Sequence, residues 1–311
     1  VSTLTTQTGS PKRRLGDLVF ANLTRAAGAI ILIALAGVAI FLTAQGIPAL
    51  HAKSSDLSGH SNIATYIAPL VFGTLLAAVL ALMIALPLAL GVALCVSHYA
   101  PRRVAVAIGY VIDLLAAVPS VVYGLWGIGF LGPRLVPIYN WLGDHVGWIP
   151  LFKGPASNTG RTILTASIVL AIMVLPIITA ITREIFVQTP RLNEEAALAL
   201  GATRWEMIRL AVLPYGRSGI VSASMLGLGR ALGETMAVAM VLSASGVVTW
   251  NLISSTNPST IAANIALTFA DATGVQRNAL IASGLVLFVI TFAVNFAARA
   301  VVARYEPGRK K

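Results

Sequence analysis

Long apolar runs, separated by short polar and basic stretches, organise this chain. Six of them reach the about 20 mostly apolar residues that a helix needs to cross a bilayer. They occupy residues 27–49, 68–97, 104–131, 162–182, 218–245 and 279–302. The pattern predicts an all-α membrane protein with six transmembrane helices. It divides the chain into a tail at 1–26, a membrane domain at 27–302 and a basic tail at 303–311. The residues through Arg14 are polar, and the run that follows is too long for the apolar core of a signal peptide. The first run is therefore expected to stay in the protein as a spanning helix.

Composition strengthens this picture. Of the 311 residues, 57% are hydrophobic and 11% are charged, whereas a soluble domain carries about 25% charged residues. Lipid is the solvent that accepts such a surplus of apolar side chains. Basic residues then set the orientation. Six spans put both termini on one side, together with the loops around 98–103 and 183–217, and that side holds sixteen of the twenty-two Lys and Arg residues. Five lie on the other side and Arg230 falls inside a span. Excess Lys and Arg mark the cytoplasmic face, so both termini are expected in the cytoplasm. The net charge of +11 records this topology and an affinity for anionic headgroups. No aromatic-and-basic cluster points to nucleic acid.

Other signals are weak. Cys95 is the only cysteine, which excludes an internal disulfide and reads as a small buried hydrophobe. His51, His60, His98 and His145 are scattered, without metal-ligand spacing. The outer loop 132–161 carries Trp141 and Trp148 among several prolines, which suits either an interfacial anchor or a docking place for an external partner.

The polar stretch 189–214 is the most informative. Thr189 is expected to cap a helix with Pro190 in its first position, where a missing N–H costs nothing. Glu194 and Glu195 favour the positive end of its dipole, and Gly201 is the natural stop. Thr203 and Glu206 then form a capping box for a second helix, which Pro214 is expected to close. Two capped helices joined by a glycine make a stiff knob, suited to transmitting displacement. An ordinary interfacial hairpin has the same local features.

Charges inside the spans are the other candidates. Arg230 and Glu234 lie near the middle of the fifth run, four residues apart and so on one helix face. Each central charge costs about 2.5–3.5 kcal/mol on insertion scales, which makes such residues functional candidates. Gly229 and Gly233 form a Gly-x-x-x-Gly pair beside them, suited to close helix approach or to a thin wall along a path. In one reading the two charges neutralise each other and lock helices together. In the other, Arg230 offers its fork of donors to an oxyanion and Glu234 keeps the anion from staying. Asp113, in the third run, reads as a further buried acid, and Pro119 beside Ser120 should kink that helix.

Two sets of residues resemble a known family. Glu195-Ala196-Ala197, Gly201 and the later Leu213-Pro214 resemble the EAA signature of bacterial ABC importer permeases, with Ala211 where a larger aliphatic residue is usual. Val118-Pro119-Ser120-Val121-Val122-Tyr123-Gly124-Leu125-Trp126-Gly127 and Gly229-Arg230-Ala231-Leu232-Gly233-Glu234-Thr235-Met236-Ala237-Val238 resemble the PstC branch of phosphate-specific permeases, from about residue 60 to the C terminus. The resemblance implies a type I ABC importer permease. Its coupling loop would grip an ATPase through Glu195, Ala196, Ala197, Gly201, Thr203 and Arg204, and phosphate would pass Arg230 and Glu234. Asp113 and Ser120 are carried as further translocation candidates. The implied partners are a PstA-type permease, two ATPase subunits and an external phosphate-binding protein, with lipid around them. The chain has no Gly-x-x-x-x-Gly-Lys-Ser/Thr phosphate cradle. ATP and Mg would therefore be bound by the ATPase, leaving this chain a transporter subunit with no cofactor of its own, not an enzyme. An importer of sulfate or molybdate, and a membrane phosphate sensor without net transport, are the alternatives.

Overall fold

The computed structural model describes residues 15–51 and 60–305. The polar stretch through Arg14, Lys53 and the last residues of the basic tail, from 306, lie outside them. Helix α1 (Leu15–Gly46) runs into a short 3-10 turn, Ile47–His51. Helix α2 (Ile63–Leu94) starts at Asn62, whose side chain accepts from the Thr65 N–H at 2.9 Å while Thr65 Oγ1 accepts from the Asn62 N–H at 3.2 Å. Both exchanges satisfy donors that a helix start leaves orphaned. A π turn, Cys95–Tyr99, ends that rod. Cys95 is exposed, not buried as its apolar run suggested, because apolar surface in a membrane helix has no need of an interior.

Among the described residues, five helical segments are long and apolar enough to cross a membrane: Gly16–Leu50, Ile63–Tyr99, Ser120–Val146, Ile163–Val187 and Gly274–Ala300. Two of the six predicted runs are broken. The third divides into α3 (Arg102–Ala116) and α4 (Ser120–Trp126). Pro119 supplies no N–H and disfavours helical backbone at Val118, so the expected kink becomes a break. Past a π turn at Gly127–Leu131 the rod continues as α5 (Gly132–Val146), which occupies half of what was expected to be the outer loop. The fifth run divides into α9 (Leu213–Leu232) and α10 (Met236–Val241), and residues 242–260 are irregular apart from an isolated bridge between Ala244 and Asn257.

Helix α6 (Ile163–Val187) is the hub, packing against α2, α3 and α9. Its neighbour α2 presents Ala77, Ala78, Ala81, Ala85 and Ala89, all buried. Small residues let two backbones approach where no hydrophobic effect drives helices together. α12 (Gly274–Tyr305) receives α1 at Gly46, where an added Cβ would come 3.3 Å from Ala282. The rest of α1 exposes Val19, Phe20, Leu23, Ile30 and Ile33, surface fit for lipid or for another apolar chain.

The irregular segment 242–260 is tied down by one side chain. Asn257 is fully buried; its Nδ2 donates to the Ser254 carbonyl at 2.8 Å and its Oδ1 accepts from the Ile163 N–H at 3.2 Å. Irregular backbone at membrane depth persists only where protein groups satisfy it. Helix α11 (Ile261–Thr268) then begins where the Ile261 N–H donates to Thr74 Oγ1 of α2 at 2.9 Å. Replacing Asn257 by Ala leaves these groups without partners, a cost of about 1–3 kcal/mol. The purified variant is expected to unfold at a lower temperature than the parent in a thermal-shift measurement; equal transitions would show that other contacts hold the segment.

Candidate functional site

The two motifs singled out in the sequence meet in space. An added Cβ at Gly124 would lie 3.0 Å from the Ala237 Cα and 3.1 Å from the Met240 sulfur. One at Gly127 would lie 2.8 Å from both Val169 and Val241. The absence of those carbons brings α4 against α10 at backbone distance. Each break is closed by a polar side chain from its own motif. The Tyr123 hydroxyl donates to the Leu115 carbonyl at 2.9 Å, spanning the gap at Pro119. The buried Glu234 carboxylate accepts from the Ala237 N–H at 3.0 Å and so caps α10.

This geometry corrects the helix-face reading of Arg230 and Glu234. The helix stops at Leu232, Glu234 lies in the break, and the two form no ion pair. Among the described residues Gly229 and Gly233 make no close contact with another helix, whereas a Cβ added at Gly227 would come 2.7 Å from Ile178. Gly229 opens instead onto a cavity of about 780 Å³ lined by Ser222, Arg230, Asn295 and Arg299 among apolar residues of α6, α9 and α12. Asp113 is exposed on α3, not buried, and neither it nor Ser120, the first residue of α4, lines the cavity. Within one chain the structure gathers Arg230 into the cavity, sets Glu234 in the break, and leaves Asp113 and Ser120 apart from it.

The hairpin at 189–214 has the expected two helices with three differences of detail. Helix α7 (Arg191–Ala199) is preceded by Pro190 at the cap position, without a side-chain cap. Thr189 is turned into the interior with its hydroxyl unpartnered, so it does not cap. Gly201 adopts φ +86°, and the chain turns through the Gly201 N–H on the Leu198 carbonyl at 3.0 Å and the Ala202 N–H on the Ala197 carbonyl at 3.2 Å. This is the paired bonding of a left-handed helix stop, which glycine adopts without strain. Helix α8 (Arg204–Met207) begins with the predicted capping box: Thr203 Oγ1 accepts from the Glu206 N–H at 3.3 Å, and Glu206 Oε2 accepts from the Thr203 N–H at 2.7 Å. The Thr203 N–H, then its hydroxyl, hold the Glu206 carboxyl below its ordinary range. A lowered carboxylate stabilises the fold above its unfolded value of about 4.3 and ceases to as the pH falls through the lower folded value. The cap is thus in force at neutral pH.

Pro214 does not close the second helix. A π turn at Ile208–Val212 widens the backbone and the chain continues helically into α9. Ala211 helps line a 380 Å³ gap between the hairpin's helices, together with Ala196, Ala197 and Pro214. That is the looser packing expected of a small residue there. The hairpin is seated on a buried cluster of Ala93, Phe186, Met207, Ile208 and Val212. His98, read as a loop residue, lies in the π turn ending α2 and its Nε2 stands 3.5 Å from Glu194. Outward it exposes Glu195, Ala196, Gly201, Thr203 and Arg204, together with Leu200, which is 90% exposed.

Sequence reading missed Asn295, Arg299 and Asn257. Asn295 and Arg299 are four residues apart in the last apolar run, a spacing that did place them on one face, but Arg299 was counted only as a topological charge. Among the described residues no three His, Cys, Asp or Glu side chains are grouped to hold a metal ion.

Comparison with known proteins agrees with this architecture. A bacterial alginate ABC transporter, solved in complex with an alginate pentasaccharide-bound periplasmic protein, has a chain that superimposes with a TM-score of 0.64 at 17% identity, covering 94% of this chain and 96% of that one. A chain of the inward-facing methionine ABC transporter MetNI gives 0.56 at 16% identity, covering 78% and 97%. Both likenesses concern the fold. In sequence, phosphate transport system permease protein PstC 2 of Mycobacterium tuberculosis is 48% identical over 303 residues, 94% of this chain and 93% of that protein. PstC of Xylella fastidiosa is 42% identical over 299 residues, 93% and 91%. The likeness extends further toward the N terminus than residue 60 and takes in the first helix. The profile of the binding-protein-dependent transport system inner membrane component family matches residues 85–310. The chain belongs to that family of membrane permeases.

Proposed function

We propose that this chain is the permease subunit of an ATP-driven importer of inorganic phosphate. The observation that carries the proposal is Arg230, a guanidinium with no carboxylate partner among the described residues, beside Gly229 in a cavity between helices. A planar fork of donors suits a tetrahedral oxyanion. An arginine left without a carboxylate in such a place is a default candidate for a substrate pathway. The relatives named as phosphate transport permeases supply the substrate.

In this reading Arg230 receives phosphate delivered from outside. The buried Glu234 holds α10 in place and contributes negative charge near the path, so that the anion does not remain. Asp113 and Ser120 border the broken segment and would act against a PstA-type partner permease across the path. Residues Glu195, Ala196, Ala197, Gly201, Thr203 and Arg204 form the face that docks into a cleft on one of two ATPase subunits. ATP and Mg belong to those subunits. Both termini lie in the cytoplasm with the hairpin, and a phosphate-binding protein meets the opposite face. The local chemistry supports a rigid connection: capped helices, a left-handed glycine stop and a buried seat on α2 and α6 leave little slack in the hairpin.

Arg230→Ala is expected to reduce uptake of labelled phosphate at low external concentration at least tenfold, with the transporter still assembled in membranes. Uptake near the parent level would return Arg230 to a structural role. Gly201→Pro forces φ to about −65° where the chain needs +86°. ATP hydrolysis in that variant is expected to lose its stimulation by phosphate-loaded binding protein while membrane insertion is retained. Normal stimulated hydrolysis would exclude the hairpin as the coupling element.

A further inference from the structure

The cavity that holds Arg230 holds a second guanidinium, Arg299 of α12. Asn295 precedes it by four residues and lines the same space, so α12 turns one polar stripe toward the cavity. From α9 come Ser222 and Arg230, separated by eight residues along one face, with Gly229 between them. Among the described residues no Asp or Glu lines this space, and neither arginine has an ion-pair partner. Two like charges confronting one cavity without a counter-ion are stabilised when an anion sits between them.

Ser222 narrows the class of anion. Its hydroxyl hydrogen is committed to the Ser218 carbonyl at 2.9 Å, which leaves only oxygen lone pairs for the cavity. The Asn295 amide offers both a donor and an acceptor. A set of two guanidiniums, an amide and a serine acceptor suits a tetrahedral oxyanion that still carries a proton. A fully deprotonated oxyanion of the same size would face the serine lone pairs with an oxygen of its own.

We infer that Arg299 is a second anion-binding residue, acting jointly with Arg230 and Asn295, and that Ser222 accepts a hydrogen bond from the hydroxyl of a protonated oxyanion such as phosphate. This rests on the proposed phosphate pathway and extends it to a helix that no sequence motif marked. Arg299 holds the anion together with Arg230, so its loss weakens capture as well as flux.

Uptake kinetics of the assembled transporter test this with Arg299→Ala, Arg299→Gln and Arg299→Lys, alongside Arg230→Ala and the parent. Arg299→Ala and Arg299→Gln are expected to lower phosphate flux at subsaturating concentration at least tenfold, with Arg299→Lys recovering a substantial part. The same partners should co-purify with every variant. If Arg299→Ala fails to assemble, the Gln and Lys variants decide, and equal flux in those two overturns the inference. Flux within twofold of the parent for Arg299→Ala, while Arg230→Ala is inactive, overturns the role of Arg299 and leaves the phosphate reading intact. Absence of phosphate uptake by the parent itself, with uptake of another oxyanion that both arginine variants lose, overturns the phosphate reading while retaining the two-arginine site.

Discussion

A peptide group in lipid has no water to turn to, and the rest of this structure follows from that constraint. An interrupted helix at membrane depth exposes carbonyls and amides whose neglect costs several kcal/mol each on the usual scale. The chain interrupts its helices twice, at 117–119 and at 233–235. Both gaps survive because each motif carries the side chain that closes it, Tyr123 on the Leu115 carbonyl and Glu234 on the Ala237 amide. Gly124 and Gly127 then press the two repaired segments together against α6. The glycines, the tyrosine and the glutamate are thus parts of a single solution to one problem.

What the interruptions provide is a place where α9 ends early with a charged residue in its last turn. A continuous helix through Arg230 and Glu234 would have paired the two charges and neutralised the guanidinium. Ending the helix at Leu232 takes the acid away to cap α10 and leaves Arg230 in the cavity with Gly229 and Arg299. The hairpin at the foot of α9 is continuous with it through the π turn at Ile208–Val212, so a push on the knob is delivered along the helix that carries Arg230. Seating the knob on Phe186 and Ala93 couples α6 and α2 to the same movement.

Much of this was legible in the residues. The apolar runs gave the membrane class and most helices, because a spanning helix needs length and hydropathy and little else. The capping box at Thr203 and Glu206 and the stop at Gly201 were read correctly, since caps and left-handed glycines depend on local chemistry. The reading failed where tertiary contacts decide. Apolarity does not distinguish a continuous span from two short helices around Pro119, nor show that α5 extends the rod into an expected loop. Thr189 was a plausible cap but its side chain is claimed by the interior. Pro214 looked like a terminator because a widened turn cannot be foreseen from spacing. Asn257 was invisible as a structural residue because its partner Ile163 is 94 positions away, and Arg299 because only tertiary packing brings it to the cavity that Arg230 lines, 69 positions earlier.

The central claim is that the space beside Arg230 is a water-accessible anion path, and Gly229 offers the most direct access to it. Cys95 is the only native thiol and is exposed, so Cys95→Ala removes the background. In the assembled transporter, Gly229→Cys would then be followed by its rate of reaction with a small water-soluble thiol reagent, with and without phosphate. The account predicts ready modification that phosphate slows and sulfate does not. A thiol at 229 that resists the reagent, or reacts at a rate indifferent to phosphate, would contradict it.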